Sequence, residues 1–341
     1  MAYSPITKST DYFNTKLYTG NSSTQSITGV GFQPDWVSIK DRDATNSFMT
    51  FDAVRGATQL LNWNTTNTES TQTPTLTSFN SDGFSIGNNT ALNTNGNDLV
   101  AWNWKANGAG SANTAGSINS TVSVSTTSGF SIVSYSGTGS LATVGHGLGV
   151  KPKMIIVRKR NSAENWLVYN EKLTASNYLL FNSTGASGAD NMWNSTEPTS
   201  SVFTVNAVDG ANGSGGTYIA YCFNDVQGFS KMGSYSGNGS DDGTFVYTGF
   251  KPAWVMLKVT NAVNDWIIMD NKRTTFNPMG EELKANSNGV ASTNTRWDQV
   301  SNGFKLRNTG DAVNGSGKTY IYMAFAEEPF VASNYNVATA R

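Results

Sequence analysis

The stretch Gly31-Phe-Gln-Pro34-Asp-Trp36 is the key to the fold, because closely related stretches occur twice more in the chain. The other two read Gly149-Val-Lys-Pro152-Lys-Met154 and Gly249-Phe-Lys-Pro252-Ala-Trp254. Each runs directly into an apolar segment typical of a β-strand. Glycine permits a turn with positive φ, and proline, which has no N–H, suits the first residue of a strand. We therefore predict that each stretch is a bent entry into a core strand.

Further markers follow each proline at constant distances. An aromatic residue comes 14 positions later and a short polar residue 18 positions later: Phe48, Trp166 and Trp266, then Asp52, Asn170 and Asp270. Each copy also closes with an Asn-Gly pair before a strand-like segment. The prolines are 118 and 100 residues apart, which is far longer than the period of a solenoid repeat. The pattern indicates three domain-sized copies of one β unit, each with its own core.

The predicted fold is all-β, with three tandem antiparallel β-sandwich units of the jelly-roll or lectin-like kind. Single helical turns are allowed only within residues 45–61 and 279–285. The predicted organisation is an N-terminal arm (1–16), unit one (17–105), a Gly/Ser/Ala/Asn-rich linker with a possible strand (106–129), unit two (130–226), unit three (227–330) and a C-terminal tail (331–341).

Composition excludes several functional classes. The 341 residues carry a net charge of −1 and only 14% charged residues, below the usual share of about 25%. A nucleic-acid binder would show a basic patch, and the one basic cluster, within residues 151–160, closes a predicted strand. No apolar stretch approaches the ~18 residues of a membrane span, and the first residues lack the apolar segment of a signal peptide. We expect a protein that is made in a cytoplasm and not exported by the ordinary secretory route.

Catalytic candidates are few. His146 is the only histidine and lies among glycines, where a structural role is favoured over a catalytic triad. Cys222, the only cysteine, excludes a disulfide within the chain and is interpreted as a small buried hydrophobic residue. Neighbouring carboxylates in a strand point to opposite faces, so the acidic pairs are interpreted as solvated turns rather than glycosidase acid and base. These pairs are Asp241-Asp242, Glu281-Glu282 and Glu327-Glu328.

Metal and recognition sites have competing explanations. Asp209 and Asp311 lie in oxygen-rich loops, but each loop has one carboxylate where calcium needs six to eight oxygens. A β-turn is favoured, and we predict neither metal nor cofactor. The pairs Asp52/Arg55 and Asp270/Arg273 fit either a polar recognition site or, preferably, a turn-closing ion pair.

Aromatic residues supply the two candidate binding sites. Trp63, Trp193 and Trp297 lie among polar residues and could be exposed platforms that stack on sugars, or could cover the rim of their own sandwich. The arm has too few apolar groups to offset the ~1–2 kcal/mol per residue that ordering a backbone costs. We therefore expect it to be an assembly anchor that adds to another chain. Its anchor residues would be Tyr3, Ile6, Tyr12 and Phe13.

The whole chain resembles a family of virion structural proteins from marine bacteriophages, including those that infect Pelagibacter-like bacteria and cyanobacteria. The phrases that carry the resemblance include Asp11-Tyr-Phe-Asn-Thr-Lys-Leu-Tyr-Thr-Gly20, Val54-Arg-Gly-Ala-Thr58, Val144-Gly-His-Gly-Leu-Gly149, Phe245-Val-Tyr-Thr-Gly-Phe-Lys-Pro-Ala-Trp254 and Ala338-Thr-Ala-Arg341. The resemblance implies a multi-copy, non-enzymatic protein of the particle surface, either tail-fibre-like, an appendage or head-decorating. No catalytic motif comes with the family.

The resemblance also implies partners and a location. We expect contacts with other virion proteins and with copies of the same chain, in a virion assembled in the host cytoplasm. No nucleic acid and no membrane insertion are expected. The alternative function is a carbohydrate-binding adhesin for host-surface glycans, which a tail fibre could combine with its structural role. A polysaccharide depolymerase ranks below both.

Overall fold

The computed structural model describes residues 4–329, which form an all-β fold as predicted. These residues also contain a 3₁₀ turn, Ser9–Asp11, and two short helical turns, α1 (Thr90–Asn93) and α2 (Asp209–Asn212). Neither segment in which a single helical turn was allowed, 45–61 or 279–285, contains one, because both pair with neighbouring strands. No helix among residues 4–329 is long and apolar enough to cross a membrane.

The strands follow one another in three groups. The first group is β1 (Phe13–Thr19), β2 (Gln25–Thr28), β3 (Trp36–Asp41), β4 (Met49–Asp52), β5 (Gly56–Asn62), β6 (Ser70–Thr71), β7 (Leu76–Asn80), β8 (Gly83–Ile86) and β9 (Asp98–Trp104). The second group is β10 (Ser111–Asn113), β11 (Ser120–Ser125), β12 (Phe130–Ser136), β13 (Ala142–Gly145), β14 (Met154–Lys159), β15 (Trp166–Asn170), β16 (Asn177–Leu180), β17 (Gly188–Ala189), β18 (Val202–Val205) and β19 (Thr217–Phe223). The third group is β20 (Ser230–Ser236), β21 (Phe245–Tyr247), β22 (Phe250–Val259), β23 (Ile267–Asp270), β24 (Met279–Lys284), β25 (Ser292–Val300), β26 (Gly303–Leu306) and β27 (Thr319–Pro329).

Each group builds one main sheet. The first main sheet has the order β1-β9-β3-β4-β5-β6, the second β10-β11-β12-β19-β14-β15-β16-β17, and the third β20-β27-β22-β23-β24-β25-β26-β21. Two smaller sheets, β2-β8-β7 and β13-β18, accompany the first two, whereas in the third the matching strands continue the main sheet. The orders β1-β9-β3-β4-β5, β12-β19-β14-β15-β16 and β20-β27-β22-β23-β24 correspond strand by strand. The division into three units stays a prediction, and this common order favours it.

The three glycine-proline stretches enter corresponding strands, β3, β14 and β22. Their glycines all have positive φ: 93° at Gly31, 72° at Gly149 and 85° at Gly249. Pro34 and Pro152 precede their strands, while Pro252 lies inside β22 at an irregularity in its pairing with β27. A residue without an N–H is tolerated at such positions because it removes no regular ladder hydrogen bond.

The buried residues form four hydrophobic clusters. Three of them lie against one main sheet each, in line with the predicted cores. The fourth, the central core, draws on all three main sheets and was not predicted. Alternation along β3 shows how one strand serves two cores, since Trp36 faces the central core while Val37 and Ile39 face the other cluster. The central core includes Trp36, Trp102, Trp166, Tyr221, Trp254 and Phe325.

Backbone hydrogen bonds close the three main sheets into a ring. Glu69 N donates to Arg160 O (2.8 Å), Ser187 N to Thr260 O (2.8 Å), and Ala291 N to Arg42 O (2.9 Å). These bonds join the first sheet to the second, the second to the third, and the third back to the first. The three acceptors directly follow β3, β14 and β22, so all the contacts lie at one end of these strands, which we call the loop end.

The described ends of the chain meet at the other end of the same strands. Pro329 pairs with Phe250, the first residue of β22. A Cβ atom placed on Gly228 would lie 2.6 Å from Ser4 Cβ and 3.0 Å from Pro329 Cβ, so these three residues are in contact. We call this the terminal end. Tyr3 and the predicted tail, residues 331–341, lie outside the described residues.

The predicted linker is part of the second sheet. Its β10 and β11 extend that sheet beyond β12, and β11 begins at Ser120 within the predicted possible strand. Asp35 accepts hydrogen bonds from Ala106 N (2.7 Å) and Gly108 N (3.1 Å), which fixes the start of the linker to the first sheet.

Candidate functional site

The three tryptophans proposed as sugar platforms are buried, so that prediction is wrong. Trp63, Trp193 and Trp297 are at most 2% exposed. Trp63 lies in the central core on Phe48, with ring centroids 5.3 Å apart, and the other two lie in the cores of the second and third sheets. Their polar neighbours serve the loops instead: Asn64 Oδ1 accepts a hydrogen bond from Phe48 N (3.1 Å).

The N-terminal arm is anchored in its own chain. Ile6 and Phe13 belong to the central core, and Phe13 stacks on Phe325 with centroids 4.7 Å apart. Tyr12 packs edge-on against Phe229. The prediction that Ile6 and Phe13 anchor the protein to another chain is therefore wrong, because both side chains are buried in the central core; Tyr12 is partly buried against it. The prediction for Tyr3 concerns a residue outside the described range.

His146 and Cys222 have structural surroundings. The His146 ring lies 3.2 Å from Thr199 O through Nε2, and Nδ1 accepts from Leu148 N (3.2 Å), while burial lowers the pKa of the imidazole. Burial raises the pKa of the Cys222 thiol to about 12, so the thiol stays protonated at neutral pH. A protonated, fully buried thiol is a poor nucleophile.

Several acidic candidates are held in ion pairs, and the interpretation of Glu281-Glu282 and Glu327-Glu328 as solvated turns is wrong, because these pairs lie within β24 and β27. Glu281 and Glu282 point to opposite faces of β24, as predicted for strand neighbours: Arg42 donates to Glu281 (2.8 Å) and Arg296 to Glu282 (2.6 Å). Asp209 accepts from Lys159 Nζ (2.6 Å) at the start of α2. Among residues 4–329, no three His, Cys, Asp or Glu side chains are grouped so that they could hold a metal ion.

A buried polar cluster joins the first and second sheets. Arg55 Nε donates to Asp52 Oδ2, and both side chains are fully buried. Tyr221 of the second sheet donates its hydroxyl proton to the same Asp52 oxygen (2.7 Å). Burial opposes the charge on Arg55, but Asp52, Tyr221 and Glu69 outweigh it and raise the pKa of the guanidinium. The ion pair was predicted as a turn closure; it also forms the junction between two sheets.

The corresponding cluster joins the third and first sheets. Arg273 Nε donates to Asp270 Oδ2 (2.6 Å), again with both side chains fully buried. Trp102 of the first sheet donates its indole N–H to Asp270 Oδ2 (3.1 Å), and the Arg273 guanidinium lies 5.7 Å from the centre of the Trp102 ring. Trp102 pairs with Ser38 of β3, and Tyr221 pairs with Ile156 at the corresponding position of β14. Trp102 and Tyr221 therefore occupy corresponding positions in the first and second sheets.

The third junction, between the second and third sheets, replaces this polar set with a largely apolar one. Asn170 and Leu173 stand where the other sheets have Asp and Arg, and the position that corresponds to Trp102 and Tyr221 is Met323. Leu173 and Met323 both contribute to the central core. The charged pair is thus absent at the one junction where the facing position has no hydrogen-bond donor.

A shallow groove of about 360 Å³ crosses the second sheet near β11 and β12. Its lining is mostly hydroxyl-bearing, from Thr121, Ser134, Ser136 and Thr217, together with Arg160. Arg160 donates to Glu69 at 2.7 Å, so the one cation of the groove is already neutralised. We assign no ligand to this groove.

Exposed aromatic side chains are concentrated on the third sheet. Phe245 and Tyr247 of β21 are about half exposed, at 46% and 54%, and Phe276, in the loop before β24, is 78% exposed. Val246, between the first two, is buried, so Phe245 and Tyr247 share the outer face of the sheet. The sequence predictions did not include these residues. In Thr244-Phe-Val-Tyr-Thr248 the two aromatic residues share one face of a strand, opposite Val246, and this spacing is the signal that could have indicated Phe245 and Tyr247.

The fold and these sites define an all-β protein in which buried polar groups join neighbouring sheets. A family model described as a domain of unknown function, DUF7483, matches residues 8–329, and the chain belongs to this family. The match covers all three main sheets in one domain. No curated protein matches the chain closely enough to be a relative.

Proposed function

We propose that this protein is a non-enzymatic structural protein on the surface of a bacteriophage particle, present in many copies as part of a tail fibre, an appendage or a head decoration. The observation that carries the proposal is the polarity of the closed ring. The described chain ends meet at the terminal end, and the ring-closing loops lie at the loop end. The ten residues of β22 separate the two ends by about 30 Å.

The interior supports a stiff, load-resisting scaffold. Large aromatic rings from all three sheets are in direct contact in the central core, as with Trp36 and Tyr221 at 4.3 Å and Trp104 and Trp254 at 5.9 Å. Close-packed interiors resist deformation, and the ring-closing hydrogen bonds prevent the sheets from separating one at a time. Such a scaffold can hold a surface at a fixed distance from its attachment point.

The virion setting is supported by the sequence resemblance described above. We propose other virion proteins and further copies of this chain as partners, attached through the terminal end. The low charge of the chain argues against nucleic acid as a partner. Assembly would take place in the host cytoplasm before lysis.

A polysaccharide depolymerase is the weaker candidate, because the carboxylates that it would use are committed to ion pairs. Glu282 is 1% exposed and bound to Arg296, and Glu281 is bound to Arg42. Incubation of the purified protein with host envelope material should release no reducing sugar. Release that disappears in a Glu281→Gln variant would reverse this ranking.

Quantitative mass spectrometry of gradient-purified particles tests the structural proposal. We expect peptides of this protein at a copy number well above one per particle and constant through successive purification steps. An abundant host cytoplasmic protein is the matched control, since its signal should fall at each step. A protein abundant in the lysate but lost from particles in parallel with that control would overturn the proposal.

A further inference from the structure

We propose that the outer face of the third main sheet, around Phe245 and Tyr247, binds an anionic polysaccharide. The surface consists of these two aromatic residues on β21 and three cationic side chains beside them, from Lys231, Lys305 and Arg307. It deepens the proposed function, since a host-surface glycan is the ligand that an exposed particle protein would meet.

Corresponding positions in the other two sheets show that this surface is particular to the third. Phe245, Val246 and Tyr247 pair with Lys305, Phe304 and Gly303. In the same register the first sheet has Ser26, Ile27 and Thr28, and the second has Thr143, Val144 and Gly145. The buried middle position stays apolar in all three sheets, because it serves the core. The two outward positions are small or hydroxyl-bearing in two sheets and aromatic only in the third.

The cationic side chains follow the same rule. Ser85 in the first sheet and Thr204 in the second occupy the position of Lys305. Two residues further along the same strands, Gly87 and Asn206 occupy the position of Arg307. Lys231 corresponds to Asn14 and Ser131, since each pairs with the same position of the last strand. Five corresponding positions therefore change together from small or neutral residues, several of them buried in the other sheets, to aromatic or cationic ones that are partly exposed. Maintaining the fold does not require this, because the other two sheets keep the same strand order without it.

Contacts within the surface place its charges beside the rings. Lys231 Nζ lies 5.4 Å from the centre of the Tyr247 ring. Lys305 Nζ lies 2.8 Å from Asp242 Oδ1, on a carboxylate that is 84% exposed, and Arg307 pairs with Asp298 at 2.6 Å. The ion pairs of Lys305 and Arg307 are partly exposed, and exposed ion pairs contribute little to stability, so their cations can exchange the present carboxylates for those of a ligand. Three exchangeable cations beside two rings suit a carboxylate- or sulfate-bearing polymer.

The strand edge argues for a polysaccharide rather than an acidic peptide. Thr244 O accepts a hydrogen bond from Leu306 N, and Thr248 N donates one to Asn302 O, so the even-numbered residues of this strand bond to the β26 side. Alternate residues of an antiparallel strand turn their backbone groups in opposite directions, so the carbonyl of Tyr247 points away from β26. Lys231 Nζ donates to that carbonyl (3.1 Å), and Thr244 Oγ1 donates to Ser236 O (2.8 Å), so part of the edge that an added peptide strand would need is already occupied. What stays open is two flat ring faces, which suit stacking on sugar rings.

Equilibrium binding of the purified full-length protein to polygalacturonate and to uncharged dextran tests the inference. We expect wild type to bind polygalacturonate more tightly than dextran, with affinity that falls at high salt because the cations are exposed. The double variant Phe245→Ser/Tyr247→Thr, which installs the residues of the first sheet, should lose about tenfold or more in affinity. Lys305→Thr/Arg307→Asn, which installs those of the second sheet, should remove the preference for the charged polymer.

Phe276→Ser is the matched control, because Phe276 is a more exposed aromatic residue outside this surface. It should leave binding unchanged, and thermal unfolding should show that all variants are folded. The inference fails if wild type does not bind polygalacturonate, if dextran or polyglutamate binds as tightly, or if the aromatic double variant binds like wild type. Such a failure leaves the presence of the protein in particles untouched, since mass spectrometry of particles measures that separately.

Discussion

At the scale of single residues, the three junctions around the central core show how side chains are matched across sheets. Two junctions combine a buried Asp–Arg pair with a hydrogen-bond donor from the next sheet, Tyr221 or Trp102. The third combines Asn170 and Leu173 with Met323. Further hydrogen bonds from a neighbouring sheet help to offset the cost of burying an ion pair. The three junctions therefore differ in chemistry, with Tyr221, Trp102 and Met323 at the corresponding position.

A set of substitutions at the first junction tests this matching. Asp52→Ala should lower the free energy of unfolding by about 3–5 kcal/mol, because it leaves the buried Arg55 guanidinium without its nearest carboxylate. The triple variant Asp52→Asn/Arg55→Leu/Tyr221→Met installs the residues of the third junction and leaves no buried charge there. We expect the triple variant to be more stable than Asp52→Ala in urea unfolding. A triple variant whose loss equals the sum of the three single losses would show that the residues act independently.

The residue scale is also where prediction from the sequence was weakest. The Asp–Arg pairs were recognisable because their partners are three residues apart, whereas Tyr221 is 166 positions from Arg55 and no local pattern connects them. The tryptophans were misinterpreted for a related reason. Polar neighbours such as Asn62 and Asn64 suggested exposure for Trp63, but neighbours along a strand or turn face different directions.

At the scale of elements, the strand entries were predictable and the arm was not. Glycine and proline impose local constraints on the backbone, so Gly31 and Pro34 indicated the start of β3 without any long-range information. The arm residues carry no such constraint. Their order comes from pairing of β1 with β9, which begins opposite Trp104, and from packing into the central core.

The buried position of Phe13 reverses what the sequence suggested for the arm. Phe13→Ala should lower the free energy of unfolding by about 3–5 kcal/mol, because it leaves a cavity among Trp104, Trp254 and Phe325. Deletion of residues 2–13 should destabilise the whole fold for the same reason, because it removes both Ile6 and Phe13 from the central core.

Chemical denaturation monitored by tryptophan fluorescence measures both effects. Asp11→Ala is the matched control on the same segment, since its ion pair with Lys8 is exposed and should contribute little. A Phe13→Ala variant as stable as Asp11→Ala would mean that the arm is not part of the core.

At the scale of the whole molecule, the all-β class followed from composition and strand patterns, but the ring did not. The predicted units were expected to have separate cores, and the sequence offers no sign that Trp36, Tyr221 and Trp254 contribute to one. Such a core depends on how sheets face each other, which is a long-range property. The ring in turn gives the molecule two different ends, and this difference makes the proposed attachment testable.

Cysteine labelling of intact particles tests the orientation. Val263 is 71% exposed at the loop end, next to the contact between Asn264 N and Thr184 O, and Thr7 is exposed near the terminal end. The native Cys222 is fully buried, so a thiol introduced at either position is the one that a maleimide reagent can reach. Val263→Cys and Thr7→Cys should both react rapidly in the purified protein. In particles that contain these variants, we expect Val263→Cys to keep its reactivity and Thr7→Cys to lose most of it, because the terminal end would be covered by the attachment partner. Equal labelling at both positions, or protection of Val263→Cys alone, would contradict attachment through the terminal end.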